Sequence, residues 1–213
     1  SCQPLTKENM KLLADAGAER IGIPLDAATE RLFDKVKGKK AHGPYNWKNQ
    51  LELLAEAVEI FGKGRVSTHL ITNLGETEQE MVRMIQKCVG MGVLPALFSF
   101  TPISGTALES RKPPSVGTYR RLQLARKLLL DGTARFEDMS FDGEGRLTDF
   151  GVDRQTFVKL VRTGTPFLTS GCPSCNRPYY NEKPSGPIYN YPREPTGEEI
   201  AEIENQLFSL MES

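Results

Sequence analysis

Two periods alternate along the first two-thirds of the chain. Around KENMKLLADA (7–16), Leu5, Met10, Leu12, Leu13 and Ala16 supply an apolar face at helical spacing, with Thr6 as N-cap and Gly17 as stop. A short apolar run, RIGIPL at 20–25, then reads as a buried strand. ATERLFDKVK, closed by Gly38, returns to the helical period, and Asn46 caps WKNQLELLAEAVEIF, which puts Leu51, Leu54, Ala55, Val58 and Phe61 on one stripe. The unit repeats as strand RVSTHLI (65–71), turn TNLGE, helix TEQEMVRMIQKCVGMG and strand VLPALFSF (93–100). Loop TPISGTALESRKPPS and helix VGTYRRLQLARKLLLDG follow. Strands separated by single helices cannot pair as hairpins, so the pattern predicts parallel strands with right-handed crossovers. It predicts an α/β layer or part of a (β/α) barrel over 1–150, with the chemistry on the loops leaving the strand C-termini.

Beyond Thr133 the alternation fades. RFEDMSFDGEGRLTDFG predicts one more short strand with a turn at DGEG, Asp153 caps RQTFVKLVRTG, and Thr196 with Glu199 opens a terminal amphipathic helix. Residues 151–213 therefore read as an irregular C-terminal extension. Three parallel strands leave two bare edges, which a soluble domain rarely tolerates. Together with a first residue that is not Met, this predicts a piece of a longer polypeptide.

Lys+Arg and Asp+Glu number 27 each among the 213 residues, which argues against a nucleic-acid surface. No apolar run reaches the ~18 residues of a membrane span, and no signal peptide is visible. The expectation is a cytoplasmic protein without membrane or nucleic-acid partners. In a reducing compartment, thiols two residues apart point to metal or redox chemistry before a structural disulfide.

Such a pair lies in GCPSCNRPYYNEKPSGPIYNYP, at Cys172 and Cys175. The C-P-x-C turn sets two sulfurs on one side of a proline-stiffened bend, half the ligand set of a zinc or iron–sulfur site. Asn176-Arg177-Pro178 forbids the helix that a thioredoxin-like pair would need, which leaves metal ligation ahead of a redox pair or unused thiols. Cys2, Cys88, His42 and His69 could complete the set. Cys88 sits at core spacing on a helix, His42 in an exposed loop, and Cys2 in a strand-to-helix loop, which makes Cys2 the better third ligand. A structural zinc site is the competing reading. Polar residues at the strand exits, Asp26 and Glu76 among them, serve as helix caps or as ligand-facing groups. If Ser67, His69 and Ile71 share a strand face, the histidine looks into the barrel.

IGIPLDAATERLF, RVSTHLITNLGETEQEMV and ALFSFTPISGTALE resemble the second half of the barrel in radical S-adenosylmethionine enzymes of the biotin synthase and lipoyl synthase type. The cysteine tail is most similar to the two-component lipoyl synthase proteins. The resemblance implies part of a partial (β/α)6 barrel with S-adenosylmethionine across its mouth. The family motif Gly-x-Ile-x-Gly-x-x-Glu reads here His69-Leu-Ile71-Thr-Asn73-Leu-Gly-Glu76, so both glycines are replaced. The implied cofactor residues are Asp26, Ile71, Asn73, Glu76, Phe100, Thr101 and Pro102. Ser67 stands where biotin synthase has a cluster cysteine. The resemblance thus implies a different auxiliary 4Fe-4S cluster, on Cys172, Cys175 and Cys2, acting in sulfur insertion into an acyl chain. The implied partners are an acylated carrier protein or peptide as substrate, the N-terminal half of the barrel, and a second radical S-adenosylmethionine protein. The family's C-x-x-x-C-x-x-C loop is absent from these residues, so the chain is not expected to cleave S-adenosylmethionine alone.

Overall fold

A computed structural model describes residues 5–171 and 186–208. Seven helices form among them: α1 (Lys7–Asp15), α2 (Glu30–Val36), α3 (Trp47–Phe61), α4 (Glu78–Gly90), α5 (Val116–Asp131), α6 (Arg154–Arg162) and α7 (Gly197–Phe208). The cap residues set their starts. Thr6, Thr29, Asn46, Ser115 and Asp153 each accept a hydrogen bond from the third helical N–H, and Thr77 with Glu80 forms a reciprocal capping box. Thr196 and Glu199 open α7 in the same reciprocal way. In α1 the buried residue is Met10, while Leu12 faces solvent at 64% exposure, because only the stripe facing α3 finds apolar partners.

The main sheet is parallel, in the order β1 (Ile21–Gly22), β2 (Val66–Thr72), β3 (Val93–Ser99). Its β2–β3 register runs from Val66 opposite Val93 to Thr72 opposite Ser99. β1 is shorter than the 20–25 run predicts, and a bulge is the reason. The ladder proceeds through Ile23 N–H to Ser67 O at 2.9 Å, then resumes only at Asp26, whose N–H reaches His69 O at 2.8 Å. The extra residue leaves the Leu25 N–H without a ladder partner, and the buried Thr68 hydroxyl accepts it at 2.9 Å. The DGEG segment holds two strands rather than one: β4 (Ser140–Phe141) and β5 (Leu147–Asp149) pair antiparallel as a hairpin.

One face of the sheet is buried and the other half-buried. Val66, Thr68, Leu70 and Thr72 are buried, and the alternating Ser67, His69 and Ile71 are not. On β3, Leu94, Ala96 and Phe98 share that second face through their register partners. The buried face packs with Met10, Leu54, Met81, Ile85, Leu122 and Leu128 in one core. Phe157, Val161, Phe167, Tyr189, Tyr191, Ile203 and Leu207 belong to that same cluster, so residues after 150 share the core of those before it.

Candidate functional site at the strand C-termini

Where β2 ends, the chain turns sharply. Asn73 adopts a left-handed φ of 69°, which asparagine tolerates better than most residues with a Cβ, and Gly75 follows at 128°. Asn73 thus holds a backbone conformation that glycine favours. The Glu76 carboxylate folds back into this turn and accepts from the N–H groups of Asn73 (2.6 Å), Leu74 (2.9 Å) and Gly75 (3.0 Å). Burial pushes its pKa up, and the three amides only partly offset that. The β3 exit loop lies across the turn: Arg111 Nε donates to Asn73 O, and Asn73 Nδ2 donates to Lys112 O at 2.8 Å. Glu76 therefore holds its own loop shut, while Thr77 caps α4.

Asp26 is not the cap of α2, which is Thr29. It sits at φ 67° beside β2, and its Oδ2 accepts from Lys37 Nζ at 2.7 Å. Lys37 also donates to Pro24 O at 2.7 Å and lies 5.0 Å from the centre of the Tyr45 ring. Ile71 and Phe100 pack, half-buried, against Leu32, Phe33 and Leu74. Thr101 and Pro102 continue from Phe100, whose N–H donates to Thr72 O at 3.2 Å. The structure thus gathers all seven implied cofactor residues at one end of the sheet. Lys37, Tyr45 and Arg111 are the additions that sequence reasoning missed. Lys37 lies eleven residues from Asp26, and α2 carries it back to the strand, so no local pattern marks it.

His69 is half-buried in mid-strand, its ring centre 4.6 Å from that of Phe98. Burial lowers its pKa, and the nearby Asp26 only partly opposes this. His42 is exposed, as its loop predicts. Cys88 is fully buried in the core, and its thiol pKa is pushed up to about 12 by burial.

Cys2, Cys172 and Cys175 lie outside the described residues, as do Asn176, Tyr179 and Tyr180. Among the described residues no three His, Cys, Asp or Glu side chains converge as a metal site would require. The two ends of the cysteine segment are anchored side by side. Thr169 N–H donates to Tyr191 O and Tyr191 N–H to Phe167 O, both at 2.9 Å. Tyr189 and Asn190 are buried against α5, where Gln123 Nε2 reaches Tyr189 O at 2.9 Å and Arg120 donates to the carbonyls of Ile188 and Tyr189. Ser170 and Gly171, just before Cys172, line a cleft on the half-buried face of the sheet together with Ser67 and His69.

Comparison of the chain with protein-family models, with curated proteins and with solved structures gives no match.

At the strand-end rim Ile71 and Phe100 are half-buried apolar side chains, and Asn73 turns the backbone through the left-handed region. Of the carboxylates there, Glu76 is spent on its own amides. Asp26 Oδ1 has no partner among the described residues and remains able to accept.

Proposed function

We propose that the chain forms the second half of a partial (β/α)6 barrel in a radical S-adenosylmethionine sulfur-insertion enzyme of the lipoyl or biotin synthase type. What carries the proposal is the convergence of Asp26, Ile71, Asn73, Glu76 and Phe100 at the C-terminal ends of parallel strands. That is the end at which α/β folds place their sites. The anchoring of the cysteine segment beside the sheet's half-buried face supports the second part of the proposal. Ile71 and Phe100 would bind the adenine, Asp26 would accept from the ribose, and the Glu76-locked turn would fix the backbone beside it. S-adenosylmethionine, when bound and reduced by the cluster of the other half-barrel, supplies the chemistry that removes a hydrogen atom from an unactivated carbon. This chain's part is to orient the acyl chain, exclude water, and hold an auxiliary iron–sulfur site on Cys172 and Cys175, with Cys2 as third ligand. The acyl group would arrive on a carrier protein or peptide, and a second radical S-adenosylmethionine protein would act beside it.

The test begins with anaerobic reconstitution of the chain with iron and sulfide. The expected result is about four irons per chain, lost when Cys172 and Cys175 are changed to Ala. Adding the half that bears the three-cysteine loop should then give S-adenosylmethionine cleavage. In that assembly the two cysteine changes should abolish sulfur transfer and spare cleavage. One zinc per chain with no iron would establish the structural-zinc alternative and overturn the proposal.

A further inference from the structure

The cleft on the half-buried sheet face has a composition that the proposal above does not use. It encloses about 250 Å³ and lies toward the N-terminal ends of the strands, opposite the rim that gathers the cofactor residues. The lining reaches up β2 to His69, three residues short of Thr72, so at a rise of roughly 3.3 Å per residue its upper edge lies about 10 Å from the strand end. Arg20 and Arg65 flank its mouth, Arg126 reaches it from α5, and Ser67, Ser170 and His69 add further polar groups. No carboxylate is among its described lining residues. Gly22, Leu94 and Ala96 supply a small apolar wall.

Arg20 and Arg65 are exposed and Arg126 is half-buried, and among the described lining residues no acid answers the three guanidinium groups, although a partly desolvated charge such as Arg126 is ordinarily paired. Arg126 is the most telling of them. Its single hydrogen bond among the described residues runs from Nε to Pro95 O, on the outer edge of β3, which leaves the terminal nitrogens of its fork uncommitted. Asp131 acts on it electrostatically, but that carboxylate is held by Lys127 at 2.7 Å. Burial pulls the Arg126 pKa down to about 10, so the group stays cationic at neutral pH. The Ser67 and Ser170 hydroxyls also lack partners among the described residues.

We infer that this cleft binds a small molecule by an oxyanion, a carboxylate or a phosphate, held between the Arg126 fork and Arg65, with a short apolar body against Leu94 and Ala96. A planar fork matches such an oxyanion in two parallel hydrogen bonds. The concave, partly apolar wall strengthens their field over that of exposed arginines. The cleft is the one that Ser170 and Gly171 line ahead of the cysteine segment, and binding there needs neither cofactor nor cluster.

The whole chain is titrated separately with inorganic phosphate, with octanoate and with octanol, following backbone amide resonances. Saturable shifts at Gly22, Ser67 and Ala96 are expected with an oxyanion and not with octanol. Tighter binding of octanoate than phosphate assigns the carboxylate with an apolar body; the reverse order assigns the phosphate. Arg126→Gln and, separately, Arg65→Gln should each weaken binding about tenfold or more, the loss expected for one charge-assisted pair. Arg65 is exposed, so its variant keeps the test valid if Arg126→Gln perturbs folding. Arg162→Gln, on α6 outside the cleft, should change nothing. Absence of shifts up to about 10 mM of either anion overturns the inference. So does equal binding of octanol, or an equal loss in the Arg162 variant.

Discussion

Arg120 offers the sharpest test of how the C-terminal segment is held. Its side chain is 1% exposed and donates to the carbonyls of Ile188 and Tyr189, to Gln123 Oε1 at 2.8 Å and to Gln206 Oε1 at 3.4 Å. Its guanidinium also lies 5.4 Å from the Phe167 ring centre and 5.1 Å from that of Tyr191. Changing Arg120 to Met keeps most of the packing volume and removes every donor. Tyr189 O would retain Gln123 Nε2, so the loss falls chiefly on Ile188 O and on the Gln123 and Gln206 side chains. Bonds to a charged donor contribute about 1.5–3 kcal/mol each, and one backbone acceptor is left short, which sets the expected destabilisation at about 2–4 kcal/mol. Urea unfolding measures this, and hydrogen exchange at the Tyr191 amide, bonded to Phe167 O, should quicken with it. Arg120→Lys should not restore stability, since an ammonium cannot span both carbonyls with a planar fork. A loss below about 1 kcal/mol for Arg120→Met, the net worth of one ordinary hydrogen bond, would refute the clamp.

Three further outcomes are expected. At Asn73, substitution by Val should cost about 1–2 kcal/mol in denaturant unfolding, because a β-branched residue resists the left-handed region, whereas Gly should be tolerated there; equal effects of the two would contradict the backbone assignment. Cys88, with its pKa pushed up to about 12, should resist iodoacetamide at pH ~8 in the folded chain and react on unfolding, as read by peptide mass mapping. His69 has a folded pKa below its unfolded value, so its contribution to stability is present above the ordinary histidine range and lost as pH falls through it. Its imidazole should titrate below the ordinary histidine value of 6.5 by NMR, and His69→Asn should flatten the acid limb of stability.

The periodicity of apolar residues determined the order and type of the main elements, and the caps at Thr6, Asn46, Asp153 and Thr196 were readable because capping is a local, few-residue interaction, whereas Thr29 takes the place that the sequence offers to Asp26. The parallel pairing of β1, β2 and β3 followed too, since chain length between strands forbids hairpins. That Asp26 and Glu76 lie at strand exits was legible from the strand pattern, while their grouping with Ile71, Asn73 and Phe100 came from the resemblance. The partners of Asp26 and Asn73 were not legible, because Lys37 and Arg111 arrive from other elements, whereas the amides that occupy Glu76 belong to its own turn. The β1 bulge, the second strand of the DGEG hairpin and the arginine cleft were equally hidden. They depend on which side chains and backbone groups meet across the sheet, and that is fixed by packing of the whole chain rather than by any window along it.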